Sequence, residues 1–242
     1  MSTKVQAIVI KSSDKKEKDK SILLFSLENG KIWATLRGVK GANAKMKLAQ
    51  NAFCYGDFVL EEGKSGKIVT NFEVIETFHE IAEDVDKYFE ASAILEIVNN
   101  LVFSSEMEQA QVFVLTLKAL KAICFGKIKP VYVLDKFLLE LYSLFGFPVY
   151  SDKCTCCGTK AFEKMYLDYG SGQLVCVACK TFSCDEISRS TYMAMKIVNN
   201  TNFDRLESIS LAGDSQLDLL RVLSRNFEFR FDKKLKFIGI LS

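Results

Sequence analysis

The sequence predicts an α+β protein, with a small β-barrel first and then a mainly helical domain carrying an inserted metal-held ribbon. Three observations carry this reading. Five β-type runs fill the first 76 residues, the apolar period becomes helical after residue 78, and six of the eight cysteines lie between Cys154 and Cys184. The expected boundaries are residues 1–77 for the barrel and 78–242 for the helical domain, with the ribbon at 152–182 inside the latter. A chain of 242 residues is long enough to bury the cores this requires.

The strand candidates are "VQAIVIK" (5–11), "SILLFSL" (21–27), "KIWATLR" (31–37), "FCYGDFVLEE" (53–62) and "KIVTNFEVIE" (67–76). They are rich in Val, Ile and Phe and are bounded by turn residues. "ENGK" (28–31) reads as a tight hairpin, because Asn29-Gly30 suits positive φ, and "EEGKSGK" (61–67) joins the last two runs. Between the third and fourth lies the basic loop "GVKGANAKMKLAQN", with room for a helical turn. Five short strands with an insertion after the third is an OB-type pattern; an SH3-like barrel is the alternative.

From residue 85 onward, apolar residues recur at spacings of three and four. This predicts helices over 85–103, 109–126, 130–147, 185–200 and 213–232. Pro130 opens the third, where its missing N–H costs little, and Gly126 and Gly146 stand at helix ends. Cys54 and Cys124 stand alone among apolar residues and read as buried packing side chains.

The cysteine segment is "CTCCGTKAFEKMYLDYGSGQLVCVACK" (154–180). Cys154 and Cys157 form one C-x2-C turn, Cys176 and Cys179 a second, and eighteen residues separate them. Four thiolates at this spacing suit tetrahedral zinc, and a site with four protein ligands leaves no position for substrate. The expected role is therefore structural, stapling the hairpin "KMYLDYGSGQLV". Cys156 and Cys184 compete for the same four places, and an iron–sulfur cluster is the minority alternative.

Catalysis finds little support. The one histidine, His79, has no nucleophile motif beside it. "GKSGK" (63–67) lacks the phosphate-loop spacing and follows a hairpin turn. No run approaches the roughly 18–20 apolar residues of a membrane span. The N-terminal twenty residues resemble a strand and charged loop more than a signal peptide, so the cytosol is the expected compartment.

Charge points elsewhere. Net charge is only +2, yet residues 1–50 hold eleven Lys/Arg against four Asp/Glu. Alternation in "KIWATLR" places Ile32, Ala34 and Leu36 on one face and Lys31, Trp33, Thr35 and Arg37 on the other. The second face pairs cations for phosphates with a ring for a base. Lys40, Lys45 and Lys47 extend it, and Lys15, Lys16, Lys18 and Lys20 form a further cluster. On these residues alone, Trp33 packing against a neighbouring domain is an equal alternative.

The order of these parts resembles the bacterial DNA-repair and recombination-mediator family RecO. The similarity is carried by "AIVIKSSDKKEKDKSILLFSLENGKIWATLRGVKG", "FGFPVYSDKCTCCG", "YLDYGSGQLVCVAC" and "NFEFRFDKKLKFIGIL". It implies an N-terminal OB-fold, a helical domain and a zinc ribbon. It also implies a non-enzymatic protein that binds single- and double-stranded DNA, anneals complementary strands, and works with RecR to load RecA onto strands coated by single-strand-binding protein. The implied compartment is the cytoplasm, at the nucleoid. Lys31, Arg37, Lys40, Lys45 and Lys47 match the family's basic region. The other class of function consistent with the sequence is a zinc-stabilised protein-interaction scaffold.

Overall fold

The computed structural model describes residues 2–15, 18–41, 44–160 and 164–236. They form two compact units, one comprising Met1–Tyr88 and Val102–Cys124, the other Phe89–Leu101 and Phe125–Ser242.

The first unit is built on a closed five-stranded barrel. Its strands are β1 (Ser2–Asp14), β2 (Lys20–Ser26), β3 (Gly30–Leu36), β4 (Tyr55–Gly63) and β5 (Gly66–Glu76), in the order β1-β2-β3-β5-β4. β1 is thirteen residues long and serves both flanks. Its first half pairs with β4 (Ser2↔Glu61 to Ile8↔Tyr55) and its second half with β2 (Ala7↔Ser26 to Asp14↔Lys20). β3 and β5 close the ring as a parallel pair, Ala34↔Lys67 to Leu36↔Val69. Closure covers part of the edge that β3 and β5 would otherwise leave open to another chain. The ring order, with a 3-10 turn (Val39–Gly41) and helix α1 (Ala44–Leu48) between β3 and β4, is OB-like.

Alternate residues fill the barrel: Val5, Val9, Ile22, Leu24, Ile32, Ala34, Leu36, Phe58, Leu60 and Phe72 are all buried there. Phe58 and Phe72, paired on the adjacent strands β4 and β5, meet inside it with ring centroids 4.5 Å apart. Ile8, Leu23 and Phe25 alternate the other way yet are also buried. Over Phe25 the cause is helix α4 (Glu106–Phe125), whose Phe113 ring lies 5.5 Å from Phe25 and 6.2 Å from Tyr55. Gln109 of the same helix donates from Nε2 to the carbonyls of Ser26 (3.3 Å) and Leu27 (3.0 Å), bracing the β2–β3 hairpin. That hairpin turns at Gly30 with φ +64°, where a Cβ would meet Gln109 Oε1 at 2.6 Å. Glycine satisfies both the turn and the close approach. Cys54 and Cys124 are fully buried, as their apolar neighbours imply. Helix α2 (His79–Glu83) opens on the exposed His79.

The second unit is centred on α5 (Pro130–Leu144), which buries residues on every face, including Val133, Phe137, Leu138 and Tyr142. Around it stand most of α3 (Val85–Asn100), with α6 (Arg189–Asn200) and α7 (Gly213–Phe231). The run 185–200, expected as one helix, divides in two. Cys184–Ile187 is a strand, β8, and Ser188 caps α6 by accepting the Thr191 N–H at 3.1 Å. So short a run, with Ile187 its one buried side chain, cannot reveal a strand whose partner lies about twenty residues upstream.

Asp135 is a polar residue inside this core. It is fully buried, accepts only from Gln216 Nε2 (3.4 Å), and its Oδ1 has no hydrogen-bond partner among the described residues. Burial pushes its carboxyl well above the usual range, and the nearby Glu90 adds to this, against the opposing pull of Gln216. A carboxyl raised in the folded state opposes folding wherever the unfolded chain would ionise it. The cost is absent below a pH of about 4 and grows as pH rises toward the folded value. Asp135→Asn is therefore expected to raise the thermal midpoint at neutral pH, with the gain shrinking on acidification toward a pH of about 4. Melting curves across this range provide the check, and a pH-independent difference would refute the assignment.

Candidate metal centre and nucleic-acid interface

The ribbon is a three-stranded sheet in the order β7-β6-β8, from β6 (Met165–Asp168), β7 (Gln173–Cys176) and β8. Each strand has four residues, too few to be stable alone. The Sγ atoms of Cys154, Cys157, Cys176 and Cys179 all lie within 4.8 Å of one another. The first pair comes from the turn preceding β6, and the second begins at the last residue of β7. The Cys176 N–H points to Cys154 Sγ at 3.3 Å, and Thr159 Oγ1 lies 3.2 Å from Cys157 Sγ. Gly158, at φ +75°, follows the first pair.

The electrostatics of the thiols fit a cation. Burial opposes ionisation of Cys154, but the backbone N–H groups of Cys157, Cys176 and Cys156 outweigh it and bring the thiol down to about 6. Thr159 lowers Cys157, while the thiols crowding Cys179, Cys156 first among them, push Cys179 up. Four thiolates this close repel one another, and a central cation removes that conflict. Cys156 is exposed and Cys184 half-buried, and both stand outside the four-sulfur group. Cys184 instead accepts the Thr181 N–H at 3.1 Å.

Asp168 secures the turn beyond the second cysteine pair. It accepts from Ser183 Oγ (2.6 Å) and Thr181 Oγ1 (3.2 Å). Burial opposes its charge, but bonds from Ser183 and Ser171 outweigh this and lower the carboxyl to about 2. Helix α7 grips the same sheet. Arg230 donates to the carbonyls of Gly170 (3.0 Å) and Ser171, Arg225 pairs with Asp185, and Phe229 stacks on Tyr169 at 4.7 Å.

On the barrel, β3 presents the face its alternation implies. Ile32, Ala34 and Leu36 are buried, whereas Lys31 and Arg37 are exposed and Trp33 keeps 54% of its surface open. Thr35 departs from the pattern: it is buried and accepts from Lys15 Nζ at 2.8 Å. Trp33 and Lys31 line a concavity of about 530 Å³ together with Asn29, Glu62, Gly66 and Lys67. Partial burial lowers the Lys31 ammonium, and Lys67 pairs with Glu62 at 3.2 Å. "GKSGK" forms the β4–β5 turn, as its flanking strands imply. Lys47 is exposed on α1, whereas the side chains of Lys40 and Lys45 lie outside the described residues. Lys16 lies outside them entirely.

The β1–β2 loop is tied to the end of β3, where the β2–β3 hairpin pairing runs out at Lys20↔Leu36. The Lys18 carbonyl accepts the Val39 N–H at 2.8 Å, and Asp19 Oδ1 accepts the Gly38 N–H at 2.9 Å. Two basic stretches about twenty residues apart in sequence are thereby joined in space.

Two family descriptions match the chain: "Recombination protein O N terminal" over residues 1–78 and "Recombination protein O C terminal" over 82–236. The chain belongs to the RecO family. Similar relatives bear the name DNA repair protein RecO. The one from Thermoanaerobacter sp. (strain X514) is 28% identical over 238 residues, covering 96% of this chain and 95% of its own. Those from Clostridium novyi and Acetivibrio thermocellus are 25% and 26% identical, covering 99% and 98% of this chain and 93% and 96% of their own. The OB-like barrel agrees with the RecO resemblance legible in the sequence, and the four-cysteine cluster fits its zinc ribbon. No described helix is long and apolar enough to cross a membrane.

Proposed function

We propose that this RecO-family protein is a DNA-repair mediator that binds DNA, anneals complementary single strands and, with RecR, helps load RecA onto strands coated by single-strand-binding protein. The observation that carries the reading is Trp33, more than half exposed on an OB-like barrel face and flanked by Lys31 in a shared concavity. An exposed indole next to ammonium groups offers one base a stacking surface and its phosphates a countercharge. Lys31, Arg37, Lys40, Lys45 and Lys47 supply the cations. Their work is counterion release: strands neutralised on one protein repel each other less and can pair. The chemistry is binding and exchange in the cytoplasm at the nucleoid, with no bond made or broken in the DNA. Zinc, held by Cys154, Cys157, Cys176 and Cys179, is structural.

The direct test is annealing of complementary strands precoated with single-strand-binding protein, with a simple polycation as control. Acceleration beyond the polycation is the expected result; none, together with no DNA binding at low salt, would overturn the reading. Within it, Trp33→Ala is expected to weaken single-strand binding by about 1–3 kcal/mol with the salt dependence unchanged. Arg37→Gln with Lys47→Gln is expected to flatten that dependence, by roughly 0.7 in the log–log slope for each phosphate no longer neutralised. Titrations over a salt series separate the two effects.

A further inference from the structure

We infer that Asp19 is a positioning residue for nucleic-acid binding: its carboxylate fixes the exit of β3 against the β1–β2 loop, so that Lys15, Lys18 and Arg37 share one rim. This deepens the DNA-binding reading of the barrel and rests on it.

The geometry is local and specific. Asp19 is half-buried, and its Oδ1 accepts the Gly38 N–H at 2.9 Å. Gly38 has φ +60°, so the chain turns through the left-handed region immediately after Arg37. The next N–H, that of Val39, is held by the Lys18 carbonyl at 2.8 Å, and Val39 itself is buried. On the other side, the Asp19 carbonyl accepts the Lys15 N–H at 3.1 Å, and Lys15 Nζ reaches Thr35 Oγ1 at 2.8 Å. Asp19 therefore sits at the joint of both basic loops, bonded through its side chain to one and through its main chain to the other.

Its charge alone would act in the opposite direction. A carboxylate among these cations repels phosphate and subtracts from the positive field that draws DNA in. If the surface were only a field of charge, deleting Asp19 would improve binding whatever replaced it. If Asp19 works by holding the turn, the replacement matters. Asparagine keeps a side-chain carbonyl that can accept from Gly38, alanine keeps nothing, and both change the net charge equally.

The experiment compares wild type, Asp19→Asn and Asp19→Ala as full-length chains. It titrates a short labelled oligothymidylate over a salt series and records a melting curve for each protein. Asp19→Asn is expected to bind more tightly than wild type. Asp19→Ala is expected to bind about three- to tenfold more weakly than Asp19→Asn, the range for one missing hydrogen bond. Its salt slope should also be shallower, by roughly 0.7, because a misplaced rim neutralises one phosphate fewer. Equal affinities and slopes for the two variants would overturn the proposal. So would a lower melting point in Asp19→Ala with an unchanged slope, since that is a purely structural effect. Wild type that fails to bind at any salt would overturn the barrel's DNA-binding reading itself, and this proposal with it.

Discussion

Cys176→Ser is expected to release the metal and unfold the ribbon while the barrel keeps its structure. Serine leaves three sulfurs where four now lie within 4.8 Å of one another, and a neutral hydroxyl is a poor substitute for thiolate. Metal binding in small zinc domains contributes on the order of 10–16 kcal/mol, which is folding free energy wherever the metal-free sheet is unstable. Three strands of four residues cannot replace it. The loss should also reach α7, because Arg230 and Phe229 hold the sheet at Gly170, Ser171 and Tyr169. Hydrogen exchange should therefore accelerate over residues 165–187 and in the last turns of α7, and a strong chelator on wild type should reproduce the pattern. Cys156→Ser is the control, since this exposed thiol stands outside the four-sulfur group and its loss should leave metal content unchanged. Full metal content and native exchange in Cys176→Ser would refute the assigned centre.

Phe113→Ala is expected to destabilise the barrel by about 3–5 kcal/mol, even though Phe113 lies in a helix. Its ring is 1% exposed and covers Phe25 and Tyr55 on the outside of the strands. Truncation removes that packing and leaves a cavity against two large aromatic side chains. A fragment ending at residue 78 lacks Phe103, Gln109 and Phe113 together. It exposes Phe25, which stacks on Phe103 at 5.4 Å in the intact protein, and is expected to self-associate. Hydrogen exchange in β2 and β4 reads the point mutant, and sedimentation reads the fragment. A soluble monomeric fragment with native exchange would show that the barrel does not depend on α4.

The local decisions were legible in the chain before any partner was known. Alternation in "KIWATLR" sorts buried Ile32, Ala34 and Leu36 from exposed Lys31, Trp33 and Arg37, because side chains on a strand alternate sides whatever lies beside it. Helical spacing marked α3 to α5, and Pro130 their sharpest boundary. Paired C-x2-C turns located four thiols that meet in space, since each turn already aims two sulfurs at one point. The order of these parts sufficed for the RecO resemblance.

Whatever depends on distant partners had to wait for the folded chain. β8 is a strand because β6 offers it a register, Met165↔Ile187 to Asp168↔Cys184, and nothing within residues 184–187 announces this. Phe25 is buried on the outer side of its strand because α4 lies there, overriding the one-sided burial that alternation implies. The joint between Asp19 and Gly38 is one hydrogen bond between residues nineteen apart, set just where the β2–β3 pairing runs out at Lys20↔Leu36. Composition showed that the first fifty residues were basic. Barrel closure pairs β3 with β5 across the whole intervening stretch of loop, α1 and β4, so it has no local code and only the folded chain decides it.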